Sequence, residues 1–380
     1  GILMMKNLGD EDDEFWSSGM TADLITKVAG AGLIRVPPLD DIITLEKKLS
    51  IEEKATKLRV KYILTNSFQK KEDSFDLWYQ LINTEDGTTV LTNKISEPIS
   101  KTTQMVGMLT NEIITSLGVS TKQDMMKAPT NNADAYEYYL KGKHMFEKRE
   151  TLADAEIARG LLQKAIEIDE TFAMAHLPLQ TAYAMTNQMN KSEETVKKCL
   201  NHIYRLPERY HFLPKLIYFM RISEPDKAME TVEIHLDLFP YDILGRTLQG
   251  ILLLSKGEYE KVIEVFERVL EIDPTRYDYL LKIGNTYNFH IKDYNKAMEY
   301  YSQYLDYFPN DHKVHQMLAR FYSQRGDEGD RDKARASWNK VALLDPGNIT
   351  ASRKIVSYDY EGLEQIEHIY KILADCTSPD

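Results

Sequence analysis

The chain has 380 residues, of which 43% are hydrophobic and 28% are charged, so it is long enough for two or three domains with substantial cores. Its 47 basic and 59 acidic residues give a net charge of −12, which opposes phosphate neutralisation and excludes a typical nucleic-acid-binding protein. The sequence has no run of about 18 apolar residues that would span a membrane, and its two cysteines are too few for a disulfide framework.

Residues 1–119 alternate between strand and helix patterns. The apolar run from Ile2 to Met5 predicts a first strand, and the acidic run from Asp10 to Glu14 favours the start of a helix that extends to Gly30. Leu33 to Val36 predicts a second strand, which ends at two prolines. The other predicted elements are a helix at 51–59, strands at 61–69, 76–81 and 90–95, and a helix at 101–117. This order predicts a mixed five-stranded sheet with helices on one face.

Four segments of this region resemble the successive signature blocks of the TolB amino-terminal-like, FlgO-like α/β domain. They are EFWSSGMTADLI (14–25), VKYILTNSF (60–68), WYQLINTEDGTTVLTNKIS (78–96) and EIITSLGV (112–119), whereas Met4-Met5-Lys6 departs from the usual apolar-Pro-Phe opening of that domain. The resemblance implies a regulatory role, because in related proteins the domain follows an output module such as a class III adenylate or guanylate cyclase or a winged-helix transcription factor. Gly1, in place of an initiator Met, predicts that such a module lies upstream in a longer chain.

From residue 134 onward the chain repeats a helix that ends at a proline. The helix stops fall at Pro207, Pro240, Pro274, Pro309 and Pro346, and position 170 takes the same place before them. The steps between these positions are 37, 33, 34, 35 and 37 residues. This period is typical of a helix-turn-helix solenoid with a repeat of about 34 residues.

Small and bulky residues also recur at fixed places before each stop. A small residue lies twelve positions before the stop and a bulky residue eight positions before it, as two closely packed helices require. Ala158, Ala228, Ala297 and Ala334 are the small residues, and Leu162, Phe266, Tyr301 and Trp338 are the bulky ones. A further small position falls at Gly142, Gly250, Gly284 and Ala319. The pattern resembles the tetratricopeptide repeat (TPR), most closely in the units that end at Pro274 and Pro309 and least in the unit that ends at Pro207, where Thr195, Cys199 and His202 stand instead.

Together these patterns predict an α+β chain. An α/β domain at 1–119 is expected to lead through a linker at 120–133 into an all-α TPR array at 134–348, with about six helix pairs in an α-α solenoid. Residues 349–380 are predicted to be capping helices, with the last one at 361–374.

The sequence carries no recognisable catalytic motif. Gly30-Ala31-Gly32 lacks the third glycine of a dinucleotide site, and the acidic stretch from Asp327 to Asp330 lacks the ligand spacing of a calcium loop. Cys199 and Cys376 have no metal-ligand spacing, and the tyrosines from Tyr300 to Tyr307 are interpreted as interhelical packing. We therefore expect no catalytic residue, no cofactor and no metal in this chain.

The remaining candidate for function is the surface formed by the first helix of each pair, which lines the inner groove of a solenoid. The predicted groove residues are mixed apolar, aromatic and hydrogen-bonding, and they suit a peptide or a helix held by a few anchors. They are Tyr139, Lys143, Leu177, Thr181, Tyr218, Arg221, Thr247, Ile251, Leu281, Asn285, Gln316 and Arg320. A clamp for a carboxylate would need clustered Lys and Asn side chains, which this set does not provide. Packing against the α/β domain or self-association are alternative uses of the surface.

The hypothesis that follows is a non-enzymatic interaction module, whose groove binds a protein or peptide partner and whose α/β domain couples this binding to an upstream output domain. A different class of function is the ligand-sensing regulatory half of a class III cyclase. A third, an envelope-assembly factor, rests on fold analogy alone. A cytoplasmic location is expected, or a periplasmic one if a transmembrane segment precedes residue 1, with no membrane insertion by this segment itself.

Overall fold

A computed structural model describes residues 1–31, 34–43, 45, 48–121 and 124–359. In these ranges the chain forms a four-stranded sheet with flanking helices, followed by a series of helical hairpins, which confirms the predicted fold class. The chain divides into two compact units, Gly1–Pro240 and Tyr241–Asp380. None of the helices in the described ranges is both long enough and apolar enough to cross a bilayer.

The sheet lies in the first unit and has the order β1-β2-β3-β4. Its strands are β1 (Lys6–Asn7), β2 (Tyr62–Lys70), β3 (Ser74–Asn83) and β4 (Thr89–Pro98). β1 is parallel to β2, whereas β2, β3 and β4 are antiparallel neighbours. The register sets Leu64 opposite Leu81 and Leu77 opposite Ile95. All four side chains are buried, because alternate residues of a strand point to the same face of the sheet.

The prediction of a fifth strand at Leu33 to Val36 is wrong. Residues 34–38 have no strand structure, and Leu33 itself lies outside the described residues. Ile34 and Val36 pack on the core, while the Arg35 guanidinium donates to the backbone carbonyls of Leu58 and Arg59, both at 3.1 Å. The alternation of apolar and polar residues therefore reflects packing without a hydrogen-bonded ladder, and the two prolines that follow offer no backbone donor to a neighbouring strand.

The predicted opening strand at Ile2 to Met5 is displaced. Ile2 forms only an isolated bridge with Leu64, and the regular strand begins at Lys6. The reason lies in the backbone of Met5, whose N–H donates to Thr21 Oγ1 at 3.0 Å and whose carbonyl accepts from the Ser17 hydroxyl. Both backbone groups are satisfied by side chains of a helix, so they are not available to the sheet.

Among the described residues, four helices belong to the α/β part: α1 (Glu14–Gly30), α2 (Leu39–Ile43), α3 (Ile51–Leu58) and α4 (Thr102–Ser116). The Asp10 carboxylate caps a short 3-10 turn, Glu11–Asp13, that leads into α1, so the acidic run marks a helix start as predicted. Trp16 on α1 packs against Phe75 with ring centroids 5.2 Å apart, and Phe75 stacks on Phe68 at 5.3 Å. These rings join α1 to the sheet.

In the described part of the chain, the hairpins form six helix pairs and a following helix. The first unit contains α5 (Ala133–Glu147), α6 (Leu152–Ile168), α7 (Ala173–Met185), α8 (Met189–Asn201), α9 (Phe212–Arg221) and α10 (Pro225–Leu238). The second contains α11 (Ile243–Lys256), α12 (Tyr259–Ile272), α13 (Asp278–Asn285), α14 (Tyr294–Tyr307), α15 (His312–Arg325), α16 (Asp330–Leu344) and α17 (Ile349–Asp359). The capping helix predicted at 361–374 lies outside the described residues.

The predicted pairing of small and bulky residues is confirmed. A methyl group added at Gly284 would lie 2.6 Å from the Tyr301 ring, and one added at Gly142 would lie 2.8 Å from Leu162. Gly250 is packed against the Phe266 ring in the same way. The alanines and bulky residues named in the repeat pattern are all at most 2% exposed. The three pairs that carry these glycines are therefore held by a close approach of their two helices.

Two places depart from a regular hairpin. The last turn of the α13 segment is a π-helix, Thr286–Ile291, which ends at Lys292 with a left-handed φ of 66°. Between α8 and α9 the chain forms two 3-10 turns, Ile203–Arg205 and Glu208–Tyr210. The second departure falls where the sequence pattern matches the repeat least.

Candidate functional site: a first-helix face and an internal cavity

In the first unit, the first repeat helix is packed into the α/β part. A methyl group added at Gly19 on α1 would lie 2.6 Å from Leu140 on α5, so the two helices are in close contact. The Trp16 ring meets the edge of Tyr136 at 5.8 Å, and the Tyr136 hydroxyl donates to Asp23 at 2.5 Å. We call this α1–α5 contact the joint.

Polar contacts surround the joint. The Lys70 ammonium on β2 donates to Asp13 at 3.1 Å and to Glu137 on α5 at 3.2 Å. The Ser18 hydroxyl lies 2.9 Å from His144 Nδ1. Aromatic side chains pack inside the joint, and hydrogen bonds surround them. The buried residues of α5 belong to the same hydrophobic core as those of the sheet.

A cavity of about 330 Å³ lies beside the joint, entirely in the first unit. It is bounded by α1, α4, α5, the start of α7, the segment 124–129 and the two 3-10 turns between α8 and α9. Its apolar wall includes Val106, Met125, Met174 and Leu206, and the rings of Tyr136 and Tyr139 also line it. A volume of this size is at the lower end of the range of about 300–1,000 Å³ that is usual for small-molecule sites.

The charged residues around the cavity are already partly engaged. The Lys27 ammonium donates to the carbonyls of Met125 at 2.9 Å and Lys127 at 2.8 Å, and burial lowers the pKa of Lys27. The Lys127 ammonium donates to the Tyr204 carbonyl at 2.6 Å. Burial and the neighbouring Asp23 carboxylate raise the pKa of the Tyr136 hydroxyl. These bonds tie α1 to the segment 124–129, and that segment to the turn after α8.

Among the predicted groove residues, Tyr139 and Lys143 lie on α5. Tyr139 is 2% exposed, packs against Phe172 at 5.0 Å between ring centroids, and lines the cavity. Lys143 is half-buried, with its ammonium 6.0 Å from the Tyr139 ring centroid. Tyr139 therefore faces the interior of the first unit.

The predicted residues on α7 and α9 are half-buried. Thr181 accepts from the Gln180 amide at 2.6 Å and donates to the Leu177 carbonyl at 3.3 Å. Arg221 donates to Gln180 Oε1 at 3.3 Å and to the Ser192 hydroxyl at 2.5 Å. Arg221 therefore links α9 to the preceding hairpin. Tyr218, also on α9, has its ring 5.8 Å from that of Phe219.

In the second unit, two predicted groove residues serve internal contacts. Asn285 Oδ1 accepts from the Tyr301 hydroxyl at 2.7 Å, and Tyr301 is 1% exposed. The Thr247 hydroxyl is hydrogen-bonded to that of Tyr279 and also donates to the Ile243 carbonyl at 2.6 Å. These side chains stabilise the hairpins.

The remaining predicted residues of this unit include the ones open to solvent. Ile251 is 51% exposed and Arg320 is also exposed, whereas Leu281 and Gln316 are half-buried. Ile251 and the exposed Leu244 are seven residues apart on α11, so they lie on the same face of that helix. We call Leu244, Thr247 and Ile251 the α11 face.

The exposed side of the second helix of this pair has a different composition. The exposed residues of α12 are all charged: Glu260, Lys261, Glu264, Glu267, Arg268 and Glu271. Its ion pairs are local, as between Arg268 and Glu271 at 2.5 Å, and they suit a solvated surface. In this hairpin, exposed apolar side chains are thus found on the first helix and not on the second.

The described residues contain no group of three or more His, Cys, Asp or Glu side chains that could hold a metal ion. Asp330, from the acidic stretch after α15, is 1% exposed and accepts from Arg325 in a two-point ion pair at 2.6 and 2.8 Å.

The tyrosines of α14 make the interhelical contacts that the sequence predicted. Tyr300 donates to Glu267 at 2.7 Å, and Tyr307 packs on Tyr277 at 4.2 Å.

Two segments of the chain match family models of the tetratricopeptide repeat, at residues 246–276 and 278–311. The chain contains TPRs. The matched segments are the units that end near Pro274 and Pro309, which the sequence pattern predicted to be the most regular.

Among curated proteins, BBSome complex member BBS4 of Bos taurus is 28% identical over 126 residues, which are 33% of this chain and 23% of that protein. The matched part therefore spans less than a quarter of its relative. Among solved structures, PilF of Pseudomonas aeruginosa is 18% identical with a TM-score of 0.41, covering 60% of this chain and 96% of that one. PilW, a type IV pilus biogenesis factor, is 13% identical with a TM-score of 0.47, covering 60% and 98%. At these identities and TM-scores the two structures say nothing about the partner of this chain.

Sequence reasoning missed the cavity. Nine of its nineteen lining residues lie on α1, α4, α5 and α7, and their convergence with the other ten depends on the joint and on the irregular turn after α8. The sequence feature that indicates this region is the break in the repeat pattern at Thr195, Cys199 and His202. A unit without the usual small and bulky residues need not end in the usual turn.

Proposed function

We propose that this chain is a non-enzymatic interaction module whose TPR hairpins bind a segment of another protein. The observation that carries the proposal is the α11 face, where Leu244 and Ile251 expose apolar surface next to a second helix whose exposed residues are all charged. An apolar anchor site with polar neighbours suits the docking of a peptide or an amphipathic helix. BBS4, which is similar to part of this chain, is a member of a protein complex, and this is consistent with the proposed role.

We further propose that the α/β part couples partner binding to an output domain, as its resemblance to TolB-like and FlgO-like domains implies. Support comes from the joint, because α5 shares a hydrophobic core with α1 and the sheet. A displacement of α5 would disturb the packing of Trp16 and Tyr136, so the two parts of the first unit are expected to respond together.

The test of partner binding uses Ile251, since its side chain is exposed and its replacement leaves the hairpin contacts intact. Asn285 is unsuitable, because removing its amide would leave the buried Tyr301 hydroxyl without an acceptor. Peptides are selected from a phage-displayed random library on the wild-type chain, and their affinity is measured by fluorescence anisotropy. We expect Ile251→Glu to weaken the selected peptides at least tenfold.

Ile234→Glu on α10 is the matched control, because Ile234 is 55% exposed and lies on a second helix. This variant is expected to bind the peptides as the wild type does. The proposal is refuted if the library yields no binding peptide, or if the peptides bind both variants with equal affinity.

The cavity favours a second candidate function, the ligand-sensing regulatory half of a signalling protein such as a class III cyclase. A small molecule bound there would contact α1, α4 and α5 together with the turn after α8. Its binding would therefore stabilise the joint against local opening.

A further inference from the structure

The cavity in the first unit combines an apolar wall with a charged mouth. Most of its surface is apolar. The residues that form this wall include Val106, Met125, Met174, Leu206, Tyr136 and Tyr139. The lining residues that are exposed to solvent are all charged, and they are Asp124, Lys127 and Glu208. A molecule that enters the cavity therefore passes charged side chains and reaches apolar ones.

The charged residues inside the cavity have partners within the protein. The Asp23 carboxylate accepts from the Tyr136 hydroxyl at 2.5 Å. The Lys27 ammonium donates to the carbonyls of Met125 at 2.9 Å and Lys127 at 2.8 Å. Burial lowers the pKa of Lys27, and the nearby Asp23 carboxylate acts in the opposite direction. These two charges are thus engaged with the protein itself.

Two further polar groups of the lining are closed to a ligand. The Nε atom of Arg205 and the hydroxyl oxygen of Thr103 have almost no accessible surface. Burial raises the pKa of the Asp169 carboxyl, but hydrogen bonds from Thr130 and Thr171 and the charge of Arg205 lower it below its ordinary value. Arg205 therefore has a countercharge within the protein, and neither buried atom can hold a charged ligand.

The two signs of charge nearly balance in the lining. The cationic residues are Lys27, Lys127, Arg205 and Arg209, and the acidic ones are Asp23, Asp124 and Glu208. A charged ligand would lose its hydration inside the cavity without gaining an unpaired opposite charge, which is costly. The lining therefore favours a neutral ligand over an anion or a cation.

The volume and the wall indicate the size and kind of this ligand. An apolar cavity of about 150 Å³ holds benzene. The present cavity of about 330 Å³ is twice as large, so it has room for fused rings. Met125 and Met174 lie in the wall together with Tyr136 and Tyr139. Thioether sulfurs and aromatic side chains both make favourable contacts with an aromatic ring.

We propose that the cavity binds a neutral bicyclic aromatic molecule. Its rings pack against the methionines and tyrosines of the wall, and the burial of apolar surface supplies the binding energy. This inference rests on the ligand-sensing function proposed above, and it gives the chemical class of the ligand.

The first test uses three probes that share an indole ring: neutral indole, the anion indole-3-acetate and the cation tryptamine. Isothermal titration calorimetry on the full chain is expected to give one site for indole. Both charged probes should bind at least about fivefold more weakly, because their charges find no open partner in the cavity.

A charged probe that binds as tightly as indole overturns the neutral class and leaves ligand sensing standing. Absence of heat and of thermal stabilisation with all three probes at millimolar concentration overturns the inference. A chemically diverse fragment library, screened by thermal shift, then decides separately whether the chain senses a ligand of another kind.

The second test places the ligand by nuclear magnetic resonance of methyl-labelled methionine. Ring currents of bound indole should shift the methyl resonances of Met125 and Met174, which line the cavity. The resonances of Met185 and Met189, which are exposed and outside the lining, should not move. Single methionine-to-leucine variants, which nearly preserve volume, assign these resonances. Unshifted resonances of both cavity methionines at saturating indole overturn the location.

A pair of variants on α7 tests the contact with the wall. Met174→Ala removes apolar surface from the cavity, so indole affinity is expected to fall at least about fivefold. Met185→Ala is the matched control, since Met185 lies on the same helix, is 41% exposed and is outside the lining. It should bind indole as the wild type does, and equal affinity in the two variants overturns the contact with Met174.

Thermal melts without ligand show whether each variant is folded, and the comparison of the three probes on the wild type needs no variant. The peptide experiment uses Ile251 in the second unit, so failure of indole binding leaves the partner-binding proposal standing, and the reverse also holds.

Discussion

The substitution Ala297→Glu tests the helix packing on which the whole array depends. Ala297 on α14 is 0% exposed, and a methyl group added at the facing Gly284 would lie only 3.3 Å from the Ala297 carbonyl oxygen. The two helix backbones are therefore nearly in contact, with no room for a longer side chain. Overpacking costs about 1–3 kcal/mol, and a buried carboxyl group without a partner costs about 1–3 kcal/mol more. We expect the second unit to lose roughly 3 kcal/mol of unfolding free energy.

For a unit of this size, a loss of about 3 kcal/mol lowers the Tm by roughly 6–12 °C. Thermal unfolding followed by circular dichroism measures this change. Asn295→Glu is the control, because Asn295 is exposed in the first turn of the same helix, where a carboxylate is favourable. The Tm of this variant should stay within about 2 °C of the wild-type value. A melting curve of Ala297→Glu that matches the wild type would show that α13 and α14 do not pack as described.

Two further predictions concern ionisable groups of the first unit. Asp76 is 1% exposed and accepts from Lys71 at 2.6 Å, from Lys94 at 3.1 Å and from the Ser96 hydroxyl, contacts that hold its pKa well below the ordinary value of about 3.9. A group with a depressed pKa stabilises the fold above its unfolded-state pKa, so the unfolding free energy of the wild type should fall as the pH drops below about 4. Asp76→Asn should be less stable at pH 7, and its unfolding free energy, measured with urea, should depend less on pH in the acid range. An equal pH dependence in both proteins would contradict the ion-pair assignment. Cys199 is 1% exposed, and burial raises its thiol pKa to about 12. In a Cys376→Ser background it should therefore resist Ellman's reagent at pH 8 in the native chain and react on unfolding, and rapid native labelling would show that the site opens.

The regular part of the array could be predicted from the sequence because each hairpin is held by contacts between residues that are close in sequence. A proline stop, an alanine such as Ala297 and a ring such as Tyr301 recur at fixed spacing, and each hairpin depends only on its neighbours. The groove residues were harder to predict. A position in the repeat register gives the helix face, but it does not say that Asn285 is already bonded to Tyr301.

The rest could not be predicted because it depends on contacts between distant segments. Alternation at Leu33 to Val36 suits a strand, yet nothing local shows that the backbone lacks a neighbouring strand to pair with. The joint is a contact between α1 and α5, more than a hundred residues apart in sequence, and only the fold brings Gly19 against Leu140. The cavity needs both the joint and the irregular turn after α8, so no single segment encodes it.

The third hairpin, formed by α9 and α10, gives a physical reason why a ligand site would lie at the turn after α8. In a regular unit an apolar contact joins neighbouring helices, but here Arg221 reaches back to Gln180 and Ser192 through hydrogen bonds. Each such bond is worth only about 1 kcal/mol net, and up to 3 kcal/mol to a charged group, so α9 gains less from it than from buried rings. A ligand can shift a conformational equilibrium only as far as it prefers one state. A molecule that contacts both α1 and Arg205 would therefore act at this irregular connection, and would fix the turn after α8 relative to the α/β part.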